Sequence, residues 1–73
     1  MKKTFEMIDL DCAHCAAKME DAIRRLDGVT AVSVNFLAQK LTLEAEDGQF
    51  DALVKQAVQI CKKIEPDCDV VVK

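Results

Sequence analysis

The 73-residue chain predicts an α+β domain in the order strand, helix, strand, strand, helix, strand. Two observations carry this. Four short segments place apolar side chains at every second position, and two longer ones repeat them at three- and four-residue steps. Gly28, Gly48 and Pro66 punctuate the pattern where a helix should stop or a loop should run. That order closes as a split βαβ, a four-stranded antiparallel sheet with both helices on one face.

Each element has a local reason. Thr4 to Ile8 reads as a short strand with Phe5 and Met7 on one face. Asp9 to His14 is a polar loop interrupted by Leu10. The next segment, to about Leu26, is a helix in which Cys15/Ala16, Met19, Ile23 and Leu26 recur on one side. Gly28 suits the left-handed position just past its end, with Val29 as the hydrophobic follower. Thr30 to Phe36 alternates, Val32, Val34 and Phe36 pointing one way and Ala31, Ser33 and Asn35 the other. Gln39 to Ala45 repeats this, with Leu41 and Leu43 inward and Lys40, Thr42 and Glu44 outward. The link through Leu37-Ala38 is short enough for a hairpin but lacks the Gly or Asn of a favoured tight turn.

Glu46-Asp47-Gly48 reads as a loop. A second helix spans about Phe50 to Lys63, its buried stripe being Phe50, Leu53, Ala57, Ile60 and Ile64. Pro66 ends it and pushes Glu65 towards extended geometry. Asp67 to Val72 is the last strand, with Cys68, Val70 and Val72 inward. The two β-α-β halves form a pseudo-repeat, and only the first carries C-x-x-C. No linker or low-complexity tract interrupts them, so residues 1–73 are expected to be one domain.

Composition narrows the function. The only aromatics are three Phe, too few for a platform on which single-stranded nucleic acid stacks, and the net charge of -3 argues against nucleic-acid and anionic-membrane partners. No apolar run is long enough to span a bilayer, and the N-terminus is not a signal peptide. The expectation is a cytoplasmic, monomeric domain whose four cysteines are reduced thiols rather than a disulfide framework.

The chemistry gathers at Cys12-Ala13-His14-Cys15, where the first helix begins. Residues three apart in a first helical turn share a face, so both sulfurs can reach one ion. The helix N-terminus favours the thiolate, the form that binds metal. Asp11 adds a hard oxygen beside two soft sulfurs. A dithiol redox site is the other use of C-x-x-C, but thioredoxin-like proteins are longer, usually carry an aromatic before the pair and pack a distant proline against it. A closed zinc site needs four protein ligands. One pair on a loop instead gives open coordination, in which an incoming ligand binds before the old ones leave.

The whole chain resembles a heavy-metal-associated domain, the βαββαβ, ferredoxin-like module of P-type metal-exporting ATPases and of small metallochaperones. That family's signature is a strand ending in Gly-Met-x-Cys-x-x-Cys and running into a helix. Asp9-Leu10-Asp11-Cys12-Ala13-His14-Cys15-Ala16 occupies those places. The resemblance assigns metal ligation to Cys12 and Cys15, makes Leu10 a buried anchor, and puts Asp9 where glycine is usual; Asp tolerates unusual φ better than most residues. Copper-binding members usually carry Thr or Ser before the first cysteine and often an aromatic after helix two. Asp11 and Ile64-Glu65-Pro66 stand there instead, as in the modules of zinc-, cadmium- and lead-exporting ATPases.

Coordination chemistry agrees. Two thiolates satisfy linear Cu(I), whereas Zn(II) accepts oxygen at about 2.0–2.2 Å and wants four ligands. The expected cargo is therefore Zn(II), Cd(II) or Pb(II), with Cu(I) as the alternative and dithiol oxidoreductase as a third class. No catalysis is expected. The expected partners are other domains of a P-type ATPase or a metal-transfer protein, and facing C-x-x-C loops could bridge a dimer through Cu(I) or mercury.

Secondary candidates are Cys61, near the end of helix two, as a third sulfur; Asp9, for its charge or only its conformation; and His14, which by helical phase faces solvent. Cys61 reads better as a partly buried small apolar residue and Cys68 as a core residue, as do Met7 and Met19, while Lys18, Lys62 and Lys63 read as solvated surface.

Overall fold

A computed structural model describes residues 1–72. Its elements are β1 (Lys2–Ile8), α1 (Ala13–Arg24), β2 (Val29–Asn35), β3 (Lys40–Ala45), α2 (Asp47–Ile64) and β4 (Asp69–Val71). The strands form one antiparallel sheet in the order β2-β3-β1-β4. Both helices lie on the face that carries Phe5, Met7, Val32, Leu41 and Leu43, as the alternation predicts. This is the ferredoxin-like architecture expected.

Register follows the pattern of apolar residues. Phe5 stands opposite Leu41, and Leu41 opposite Val34, so one inward layer crosses three strands. Phe5 stacks on Phe50 of α2, ring centroids 6.4 Å apart. Met19 and Ile23 of α1, Cys61 of α2, Leu43 of β3 and Cys68 are fully buried in the core.

Several boundaries move. α1 ends at Arg24 because the Arg25 N–H turns back to Ala22 and Ile23, and the Leu26 N–H bonds Ile23 O. Gly28 then takes φ +99°, the left-handed position expected of it. The β2–β3 hairpin forms without Gly or Asn in its turn because Gln39 accepts φ +55°. α2 begins at Asp47, not Phe50, so Asp47 and Gly48 belong to its first turn rather than to a loop. Its buried stripe is Phe50, Leu53, Val54, Ala57 and Cys61; Ile60 and Ile64 lie only half-buried beside it. β4 is three residues long, with Cys68 buried in the turn before it and Val72 exposed rather than inward.

Candidate metal centre

The loop between β1 and α1 is short and constrained. Asp9 adopts φ +61°, the conformation in which glycine is usual, and Leu10 is buried to 2% exposure as the loop's anchor. Asp11 follows on the surface, and Cys12, with φ -128° and ψ 113°, is the N-cap of α1.

The sulfur of Cys12 does what a Ser or Asp oxygen does at most N-caps: it accepts the Cys15 N–H, at 3.1 Å. No acidic residue occupies the first turn of α1, so this sulfur is the group placed to meet the helix N-terminus with negative charge. The Cys12 thiol is accordingly held below its ordinary value. The largest cause is the proton offered by the Cys15 side chain, followed by the backbone N–H groups of Cys15 and His14; burial and Glu65 oppose them.

Cys15 moves the other way. Its thiol is pushed up to about 11, first by donating to Cys12, then by partial burial and by repulsion from Cys12 and Glu65, with Lys18 opposing. The expectation that the helix N-terminus lowers a thiol pKa therefore holds for Cys12 and fails for Cys15. A single proton between two sulfurs can favour only one thiolate.

A third group stands beside the pair. Glu65 Oε2 lies 3.9 Å from Cys15 Sγ. Glu65 has φ -137° and ψ 92°, the extended geometry that Pro66 imposes on the residue before it. The Pro66 signal located this turn in the sequence, but nothing local says that the turn meets Cys15. Gln39 is the second residue that sequence reasoning missed; the signal was the hairpin's lack of Gly or Asn, which obliges some residue there to take positive φ.

The remaining candidates are distributed as follows. Asp9, Asp11 and His14 are exposed. Cys61 is fully buried in the core, where desolvation first and Cys68 second push its thiol up to about 12. Cys68 is equally enclosed, and burial raises its thiol too. Lys62 is on the solvated surface, as read, and pairs there with Asp69. Among the described residues, no three His, Cys, Asp or Glu side chains gather closely enough to enclose an ion. The arrangement is an open thiol pair with carboxylates at its margins. Chemically it can take a soft ion from one donor set and release it to another.

The chain is similar to known proteins in sequence and fold. The family model for the heavy-metal-associated domain matches residues 4–68. The zinc/cadmium/lead-transporting P-type ATPase of Shigella sonnei is 43% identical over 56 residues, covering 77% of this chain and 8% of that protein. The copper chaperone CopZ of Enterococcus hirae is 34% identical over 64 residues, covering 88% of this chain and 86% of that one. A solved CopZ metallochaperone superposes with a TM-score of 0.76 at 24% identity, over 97% of this chain and 100% of that chain. The chain spans only 6–9% of the length of the transporting ATPases that it matches. No described helix is long and apolar enough to cross a membrane. The matched segment takes in both loop cysteines, both helices and all of β2 and β3, and the chain belongs to the heavy-metal-associated domain family, the metal-binding module shared by metallochaperones and metal-transporting ATPases.

Proposed function

We propose that the domain carries one divalent ion, Zn(II), Cd(II) or Pb(II), on Cys12, Cys15 and Asp11, and hands it to a second domain or protein. One observation carries the reading: the thiol pair at the N-terminus of α1 has carboxylates on both flanks, Asp11 next to it in the chain and Glu65 at 3.9 Å from Cys15 Sγ. Two thiolates and Asp11 bring three negative charges, which a doubly charged ion offsets far better than a singly charged one. Hard oxygens suit Zn(II) and add little to linear Cu(I).

Transfer follows from openness. With fewer than four protein ligands the ion keeps a position to which a recipient's thiolate can bind before Cys12 or Cys15 lets go. The domain itself catalyses nothing in this reading. We favour the N-terminal module of a heavy-metal-exporting P-type ATPase over a free metallochaperone, because the Asp-Cys-x-x-Cys form resembles those modules. The domain would then work in the cytoplasm as a monomeric unit covering residues 1–73.

A Cu(I) chaperone is the second reading, favoured by similarity to copper chaperones over 86% of their length. Anaerobic competition titrations of Zn(II), Cd(II), Pb(II) and Cu(I) into reduced parent and Asp11→Ala separate the two. The divalent reading expects the variant to lose about ten-fold or more in divalent affinity, about 1.4 kcal/mol, with Cu(I) binding unchanged. Divalent affinity indifferent to Asp11 would return copper to first place. Cys12→Ser tests the third class: loss of metal binding, with no disulfide-reductase activity in the parent, excludes a dithiol oxidoreductase.

A further inference from the structure

We propose that Gln39 is a positioning residue for the metal loop, gripping Leu10 at both of its backbone polar groups and thereby fixing how the chain approaches Cys12. This deepens the metal-binding reading and rests on it. Gln39 ends the β2–β3 turn, 29 residues from Leu10. Its Oε1 accepts the Leu10 N–H at 2.9 Å, and its Nε2 donates to Leu10 O at 2.7 Å and to Phe36 O at 2.9 Å. Its own backbone O accepts the Met7 N–H at 2.8 Å.

The grip answers a need created by the loop. Leu10 is 2% exposed, yet it lies between the end of β1 and the start of α1 and so belongs to neither ladder. Buried peptide groups without a partner are costly, and one amide side chain supplies both partners here. Backbone strain points to the same place. Asp9 (φ +61°) and Gln39 (φ +55°) are the only non-glycine residues with positive φ among those described; Gln39 makes the clamp, and Asp9 directly precedes the residue it holds. Strained conformations persist where the surroundings over-determine them, and they gather at functional sites. With its side chain in the core and its peptide groups held, Leu10 leaves Asp11 and Cys12 little freedom. The sulfur pair is then set before an ion arrives, which saves ordering cost on binding.

The test uses the 73-residue chain and two variants. Gln39→Gly deletes the amide while accepting the positive φ, and Gln39→Glu keeps the shape and Oε1 but loses the donor to Leu10 O and Phe36 O. Leu37→Ser, at a side chain 92% exposed in the same turn, is the control. Zn(II) and Cd(II) affinities by chelator competition, backbone amide exchange and thermal unfolding are recorded together. In Gln39→Gly, Leu10 amide exchange should accelerate ten-fold or more relative to Phe5, and affinity for both ions should fall about five-fold, with Leu37→Ser unchanged in both. Should Gln39→Gly fail to fold, Gln39→Glu carries the test with the same expected fall. Unchanged Leu10 exchange would overturn the clamp. Faster exchange with a lowered melting temperature but undiminished affinity would reduce Gln39 to a structural brace and overturn the positioning role. If the parent bound neither these ions nor Cu(I), the metal-binding reading itself would fall, and this inference with it.

Discussion

At Cys12 a sulfur stands in an N-cap and accepts the Cys15 N–H, and the neighbouring Cys15 thiol favours the Cys12 thiolate over its own. Ionisation is therefore sequential: Cys12 loses its proton first, and Cys15 keeps its own to about pH 11. An ion that binds both sulfurs at neutral pH must displace the proton on Cys15. Metal affinity coupled to one such proton rises about ten-fold per pH unit while the pH stays below the thiol's pKa. Zn(II) competition at pH 6, 7 and 8, corrected for the chelator's own protonation, should give at least that slope. A flat profile would mean that Cys15 does not ligate. Glu65→Gln should act oppositely on proton and metal. Without its charge the Cys15 proton leaves more easily, yet divalent affinity should fall about three-fold, roughly 0.7 kcal/mol, with Cu(I) affinity unchanged. An unaltered Cd(II) isotherm for that variant would remove Glu65 from the site. The C-x-x-C was legible in the sequence because its three-residue spacing is local. Glu65 was not, since 50 residues separate it from Cys15 and only tertiary packing joins them.

Among the elements, edges and ends show where local pattern stops being sufficient. β2 is an edge strand, and Glu20 of α1 reaches it, accepting the Val34 N–H at 2.9 Å and the Arg24 guanidinium at 2.8 Å. These bonds, the Val34 N–H first, hold the Glu20 carboxyl below its usual range, and they close one donor of an otherwise open edge. Asp47 and Gly48 read as loop by composition, yet they start α2. Asp47 lies in the first turn, where a carboxylate complements the helix N-terminus, and it pairs at 3.1 Å with the Met1 ammonium. The same ammonium bonds Ala45 O, a contact 44 residues away in sequence. Gly28 is the converse case, legible in sequence and confirmed in detail. Its φ is +99°, and a Cβ there would collide with the side chain of Gln49. Gly28→Ala should cost about 1–2 kcal/mol in backbone strain alone, lowering the melting temperature by roughly 4–16 °C. Metal affinity of the folded fraction should stay unchanged, because Gly28 lies the length of α1 away from Cys12. A loss of affinity without a loss of stability would contradict this division of labour.

Over the whole molecule the four cysteines divide into two populations that one chain keeps apart. Cys12 and Cys15 sit half-exposed at the head of α1, while Cys61 and Cys68 are fully enclosed by the sheet and α2. Period-two alternation made Cys68 readable as core. Cys61 was harder, because the stripe drawn through Ile60 and Ile64 misplaced the phase of α2; packing turns Val54 and Cys61 inward instead. The enclosed thiols make the fold sensitive to alkali with a definite sign. Folding moves Cys61 from the ordinary 9.0 up to about 12. Below pH 9 both states are protonated, and burial of the neutral thiol contributes its full stability. Above pH 9 the unfolded chain releases the proton while the folded one retains it, so stability falls as pH rises towards 12, by up to about 1.4 kcal/mol per unit for one fully suppressed thiol. Cys68, raised by burial as well, adds in the same direction. Cys61→Ala removes the titrating group at the expense of a small core void. It should therefore be less stable than the parent at pH 7 and lose less per pH unit between 9 and 10.5, so that the two stability curves converge. Urea unfolding of both proteins under reducing conditions across that range reads the two slopes directly. Parallel curves would show that Cys61 is not held neutral by the fold, and the separation of a reactive pair on the loop from an inert pair in the core would have to be redrawn.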